Sequence, residues 1–172
     1  MALFPNPRNG MAETSRLQLL RDSALATELD AKQCAALAEL VTVRELADGE
    51  VLVDEGKSDD HVHVVVSGTL AVARQVPPGG QWVNLNVLTK GDLAGELAFM
   101  DGKPHYAALR AVGPTRILSL KRERLESLLA SEPVIVYRVM RAIFRIVHGI
   151  LHRMALQASE LTNYIYKQHG RY

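Results

Sequence analysis

Apolar residues recur at helical spacing near the start of the chain and predict two helices. The first begins at about Glu13, and its apolar positions are Leu17, Leu19, Leu20, Ala24 and Leu25. The second covers residues 30–41, and its apolar face is formed by Cys34, Leu37, Ala38 and Val41. Asp30 is placed to cap it, because a short acidic side chain accepts hydrogen bonds from first-turn amides. Residues 1–12 contain proline, asparagine and glycine and are predicted to be flexible.

From about Val43 the hydrophobic pattern changes from helical spacing to short β-rich runs bounded by turn residues. These runs cover residues 51–53, 61–66, 69–76, 81–88, 110–112 and 115–120. The segment Pro77-Pro78-Gly79-Gly80 predicts a hairpin turn, and residues 95–100 predict one short helical turn. Many short strands with regular turns are typical of a sandwich, a barrel or a roll.

Helical spacing returns near the C-terminus, with a short helix predicted over residues 121–129 and a long one from Pro133. The long helix carries two adjacent apolar seams. The first seam consists of Val136, Val139, Ile143, Ile146 and Ile150. The second seam consists of Met140, Phe144, Val147, Leu151 and Met154.

One seam is enough to dock a helix on a core, so a second seam indicates a further partner such as another copy of the chain. We therefore predict a homodimer. Its expected dimerisation residues are Val139, Ile143, Ile146 and Ile150. The alternative is one wide apolar face packed on a single large core. The chain then divides into a flexible segment 1–12, a body of helices and β-structure over 13–132, and a helix with its tail over 133–172.

Composition and charge exclude several classes of protein. The 172 residues carry 20 basic and 19 acidic side chains, whereas a domain that binds nucleic acid over its whole surface usually has a larger basic excess. We interpret the aromatic and basic residues in 163–172 as a frayed helix end. The single cysteine, Cys34, is interpreted as a small buried hydrophobe. No signal peptide and no membrane span of about 20 apolar residues is present, so we expect a soluble, cytoplasmic protein.

A set of short motifs reduces the number of protein families to which the sequence could belong. They are Gly49-Glu50, Glu55-Gly56, Asp59-Asp60, Gly68, Gly91-Asp92, and Gly95-Glu96-Leu97-Ala98 followed by Pro104. In order and spacing the sequence resembles the cyclic-nucleotide-binding domain of the catabolite activator and FNR family of regulators, over about residues 25–151. The resemblance implies a mainly β fold, a double-stranded β-helix or jelly-roll-like β-roll. N-terminal helices and a long C-terminal helix would flank this roll.

In that family the Gly-Glu-Leu-Ala motif opens a phosphate-binding cassette. The resemblance implies that Glu96 accepts from a ribose hydroxyl and that the amides around it bind the phosphate of cAMP or cGMP. The implied cassette residues are Gly95, Glu96, Leu97 and Ala98. The family's arginine after the proline is absent, because Pro104 is followed by His105 and Tyr106. We expect these two residues to replace the arginine only in part. No other cofactor is implied.

The long helix also departs from the family pattern. Ile150 and Leu151 stand where some cAMP-binding members present Thr and Ser hydroxyls to the adenine, so the base end of the pocket is expected to be apolar. Two functions therefore stay open. One is a sensor that binds a cyclic nucleotide or a related ligand and signals through the long helix. The other is a β-roll module that binds no ligand and serves for interaction and dimerisation.

A cupin-like metal site is a third, weaker alternative. His61 and His63 could form a chelating pair, with His105 as a third ligand, but the glutamate of the cupin pattern is missing. We interpret the pair as solvent-facing histidines that alternate with core valines, and we predict no metal site.

No P-loop, dinucleotide motif or catalytic constellation is present, so we expect no enzymatic activity. The family's transcription factors continue into a helix-turn-helix domain, whereas this sequence ends at Tyr172. We therefore expect no DNA binding by this chain alone.

Overall fold

A computed structural model describes residues 16–77 and 80–169 of the chain. Four expectations fall at least partly outside the described residues: the flexible segment 1–12, the first residues of the helix predicted from Glu13, the centre of the predicted hairpin turn, and the end of the tail. Within the described ranges, no helix combines the length and the apolar character that crossing a membrane requires.

In these described ranges, eight antiparallel strands form two four-stranded sheets. The strands are β1 (Val41–Leu46), β2 (Val51–Val53), β3 (His61–Ser67), β4 (Leu70–Val76), β5 (Gln81–Leu88), β6 (Leu93–Ala94), β7 (Ala108–Ala111) and β8 (Thr115–Lys121). The first sheet has the order β1-β8-β3-β6, and the second has the order β2-β7-β4-β5. The predicted jelly-roll-like β-roll is confirmed.

Helices lie before, within and after the roll. Helical residues 16–21 and a 3₁₀ turn at Ala24–Ala26 come first. The remaining helices are α1 (Ala31–Ala38), α2 (Glu96–Asp101), α3 (Arg122–Glu126) and α4 (Pro133–His169). Asp30 caps α1 as predicted, since its carboxylate accepts from the Gln33 amide at 2.9 Å and the Gln33 side chain accepts from the Asp30 amide at 3.2 Å.

Two strands, β1 and β6, are not predicted by the sequence pattern. The predicted second helix extends to Val41, but α1 ends at Ala38 and Val41 begins β1. Val41 pairs with Leu120 of β8 and is fully buried, so pairing between strands far apart in sequence overrides the local helical pattern.

Two apolar cores share the first sheet. One lies between the two sheets and includes Leu46, Val65 and Ile117. The other lies between the first sheet and the helices and includes Val62 and Val64. Both faces of β3 are therefore covered. This corrects the interpretation of both histidines as solvent-facing: His63 is only 3% exposed because its face of β3 turns toward the interior of the roll.

The first seam of α4 packs on the core of its own chain. Val139 and Ile143 are 0% exposed and contact the helical side of the first sheet, so the assignment of these two residues to a dimer surface is wrong. Ile146 is half-buried against the same core, and Ile150 is half-buried on the wall of a cavity beside the roll. In the second seam, Phe144, Leu151 and Met154 are each more than half exposed, whereas Met140 and Val147 are half-buried against the core.

Candidate ligand-binding site

A cavity of about 650 Å³ lies between the second sheet, the α2 region and α4. Small-molecule sites in proteins typically measure about 300–1,000 Å³. We call it the cassette cavity, because it is lined by all six residues expected to bind ligand: Gly95, Glu96, Leu97, Ala98, His105 and Tyr106. Apolar residues of the strands, including Val72, Leu88 and Leu109, form much of the remaining wall.

Gly95 turns the chain from β6 into α2 and has no room for a side chain. Its φ of +77° lies in the left-handed region that favours glycine. A Cβ atom there would lie 2.7 Å from the carbonyl oxygen of His61 and 3.4 Å from the rings of His63 and His105. The turn brings the first amides of α2 to the cavity wall, where Leu97 and Ala98 have no partner within the helix.

Glu96 places a half-buried carboxyl group on the cavity wall. Burial raises its pKa, and its own backbone amide opposes that shift only in part. Among the described residues it forms no salt bridge. Its oxygens can therefore accept hydrogen bonds from a ligand hydroxyl.

A cassette of this form at the edge of a β-roll is the arrangement that the short motifs imply. A sequence profile described as the cyclic nucleotide-binding domain matches residues 43–132, just over half of the chain. The chain belongs to the cyclic nucleotide-binding domain family.

Similar proteins include the CRP-like cAMP-activated global transcriptional regulator of Mycobacterium tuberculosis. It is 23% identical over 128 residues, which make up 74% of this chain and 57% of the relative. The chain thus spans somewhat over half the length of that relative.

Two solved structures have the same architecture. The N-terminal domain of a transcriptional regulator from Streptomyces coelicolor A3(2) has a TM-score of 0.65 and 29% identity, with 79% of this chain and 94% of that chain covered. A cyclic nucleotide-binding domain from Methylobacillus flagellatus has a TM-score of 0.70, with 83% and 80% covered. At 20% identity, the second similarity shows the fold alone.

His105 occupies the position where the sequence resemblance places an arginine, and its ring is buried beside Gly95 in this cyclic nucleotide-binding domain. It is 9% exposed, and its Nε2 atom has no hydrogen-bond partner among the described residues. Burial lowers its pKa, and the nearby charge of Asp59 opposes that shift only in part. His105 is therefore neutral at pH 7 and supplies a hydrogen-bonding nitrogen instead of a fixed positive charge.

Tyr106 lies at the rim of the cassette cavity and is 65% exposed. Partial burial raises the pKa of its phenol, and the nearby charge of Glu96 adds to the shift. The neighbouring cation, Lys103, also lines the cavity but forms an ion pair with Asp101 at 3.5 Å.

Asp59 connects the two histidines of β3 at a second cavity of about 420 Å³. His61 Nδ1 lies 2.5 Å from one oxygen of Asp59, and His63 Nε2 lies 3.0 Å from the other. His63 Nδ1 also contacts the hydroxyl of Ser119 at 2.8 Å. Burial works against ionisation of Asp59, but the hydrogen bonds from His63 and His61 outweigh it and lower the pKa to about 2.

The cupin-like set of three histidines is not brought together around one point. Among the described residues, the group whose ligand atoms all lie within 4.8 Å of one another is Asp59, Asp60 and His61. Both ring nitrogens of His63 are already hydrogen-bonded, and His105 lies on the side of the cassette cavity.

Two residues of α4 that the sequence prediction missed also line the cassette cavity, namely Arg153 and Gln157. They follow Ile146 and Ile150 at steps of three and four residues, and so continue the first seam beyond its apolar part. That spacing was the available signal, but their polar character ended the apolar pattern at Ile150.

Proposed function

We propose that this domain is a regulatory sensor that binds a cyclic nucleotide in the cassette cavity and transmits its occupancy through α4. One observation carries the proposal: the same cavity is lined by the cassette residues and by about three turns of α4, from Ile146 to Gln157. A ligand that fills this space contacts both elements, so its binding energy can favour one position of the helix over another.

The cassette offers hydrogen-bonding groups for both the phosphate and the ribose of a cyclic nucleotide. The amides of Leu97 and Ala98 can donate to the phosphate, and Glu96 can accept from the ribose hydroxyl. His105 contributes without the arginine's permanent charge. An arginine–phosphate pair contributes charge-assisted hydrogen bonds worth about 1.5–3 kcal/mol each, so we expect an affinity about tenfold to several thousandfold lower than with arginine.

We further propose that the chain forms a homodimer through the exposed residues of the second seam of α4. Its spacing of four and three residues continues through Ala158 to Leu161, which is the repeat of a coiled coil. Phe144, Leu151 and Leu161 are each at least 60% exposed and would be covered by a second copy. Met154 lies both in this seam and on the cavity wall, so ligand and partner helix would meet at one residue.

The remaining features fit a cytoplasmic module without catalytic activity. Two of the similar proteins named above are a transcriptional regulator and a domain of one. The near-zero net charge supports the expectation that this chain alone binds no DNA.

The test is titration of the full chain with cAMP and with cGMP, followed by calorimetry and by thermal unfolding. We expect one site per chain and stabilisation by about 2.7 kcal/mol at 100 times the Kd. Glu96→Gln should weaken binding about tenfold or more. The matched control is Glu160→Gln, since Glu160 is exposed on α4 away from the cavity. If no cyclic nucleotide stabilises the wild type, the sensor proposal is wrong and the ligand-free interaction module replaces it.

A further inference from the structure

The part of α4 that lines the cassette cavity changes from apolar to polar along its length. Ile146 and Ile150 come first, and Arg153 and Gln157 follow. At 1.5 Å per residue these positions span about 16 Å, so the helix offers an apolar surface and a hydrogen-bonding surface to one ligand.

Arg153 differs from the other described arginines of this helix, because it has neither a hydrogen-bond partner nor an ion-pair partner among the described residues. Arg141 and Arg145 both form salt bridges with Glu28, and Arg138 donates to Gln33 at 2.5 Å. No described carboxylate lies within salt-bridge distance of Arg153. Its guanidinium therefore stands on the cavity wall with its donors available.

The proposed phosphate and ribose contacts are made by α2, which leaves the base of the nucleotide to the α4 wall. Ile146 and Ile150 suit the faces of a flat ring. A guanidinium is a donor only, and it pairs best with two acceptors side by side. Guanine presents such a pair in O6 and N7, whereas adenine presents a donor at N6 beside the acceptor N7.

We propose that Arg153 selects the base and that the preferred ligand of this domain carries guanine. The inference rests on the proposed function, because it requires a cyclic nucleotide in the cassette cavity. Adenine would leave one donor of Arg153 facing the amino group, so cAMP should bind more weakly than cGMP.

The experiment measures the Kd values of cGMP, cIMP and cAMP by calorimetry on the full chain. Hypoxanthine in cIMP keeps O6 and N7 but lacks the 2-amino group, so it isolates the acceptor pair. We expect cGMP and cIMP to bind about 5- to 150-fold more tightly than cAMP. In Arg153→Ala the ratio of cAMP Kd to cGMP Kd should fall to about one. The matched control is Lys32→Ala, because Lys32 is an exposed cation on α1 away from the cavity.

The possible outcomes distinguish a failure of base selection by Arg153 from a failure of nucleotide binding itself. Equal Kd values for cGMP and cAMP in the wild type, or a preference that survives Arg153→Ala, would overturn the inference alone. An equal loss of affinity for all three nucleotides in Arg153→Ala would also overturn it, since Arg153 would then contact the phosphate. If the wild type binds none of the three, the proposed function fails, and the inference fails with it.

Discussion

The carbonyl oxygen of His61 lies 2.7 Å from the point that a Cβ atom at Gly95 would occupy. A real Cβ cannot approach a backbone oxygen so closely, and the positive φ adds conformational strain. We predict that Gly95→Ala lowers the free energy of unfolding by about 2–4 kcal/mol and abolishes nucleotide binding. Urea denaturation and calorimetry measure the two effects.

Gly56 supplies the control for this substitution. Its φ of +76° is nearly the same, but no atom lies within 4 Å of the position that its Cβ atom would take. Gly56→Ala should therefore cost only the conformational term, about 1–2 kcal/mol. Equal losses of stability in both variants would contradict the predicted clash, because the backbone at His61 would then shift without an energetic cost.

Introducing a charge at two neighbouring positions of α4 should have different effects, one on the dimer and the other on the fold. Phe144 is 64% exposed on the second seam, whereas Ile143 is 0% exposed in the core. We predict that Phe144→Glu gives a folded monomer, because it places a charge in the proposed dimer contact. Ile143→Glu should unfold the chain, since it buries a charge without a partner. Light scattering gives the mass and circular dichroism the fold; a monomeric wild type would refute the dimer.

Asp59 should make the free energy of unfolding depend on pH in the acid range. Its pKa falls from the ordinary 3.8 to about 2 on folding. Its ionised form is therefore stabilised in the native state above pH 3.8, and that stabilisation of about 2 kcal/mol is lost as the pH falls toward 2. Asp59→Asn should flatten the decline of the unfolding free energy between pH 5 and about pH 2.

Asp54→Asn is the control for this measurement, because Asp54 also lines the second cavity but does not contact His61 or His63. A wild-type acid profile that Asp59→Asn leaves unchanged would contradict the role of the hydrogen bonds from the two histidines.

Nucleotide affinity should rise in weak acid. Burial lowers the pKa of His105 in the folded protein, so the ring is neutral at pH 7 and gains a proton only as the pH falls through this lowered pKa. The protonated ring attracts the phosphate, and binding strengthens. In His105→Gln this part of the pH dependence should disappear. Titrations from pH 8 to pH 5 measure it, and an unchanged profile in the variant would assign the effect to another group.

The local elements were predictable from the sequence where turn residues marked their ends. Strand β5 (Gln81–Leu88) has the predicted bounds, because proline and glycine precede it. The cassette residues were found because their motif begins with Gly95, whose positive φ and lack of a side chain the turn into α2 requires. Strand β1 was missed because its first residue, Val41, also continues the apolar stripe of the preceding helix.

The faces of these elements were less predictable, because burial depends on what packs against them. An alternating pattern at His61–Val64 cannot show that helices cover the outer face of β3 and leave His63 inside. Both seams of α4 consist of apolar residues, so the sequence could not tell which side chains meet the core. Arg153 reaches the cavity only through the path of α4 over the second sheet.

Two arginines of α4 join this helix to Glu28, which lies just after the turn at Ala24–Ala26. Arg141 lies 2.5 Å from one carboxylate oxygen, and Arg145 contacts the other. These two ion pairs hold the helix close to the turn at Ala24–Ala26, so a tilt of the helix would pivot near Glu28. From Arg145 to the end of the helix at His169, a rise of 1.5 Å per residue gives a distance of about 36 Å. A rotation of about 5° at Glu28 would displace the far end of the helix by about 3 Å.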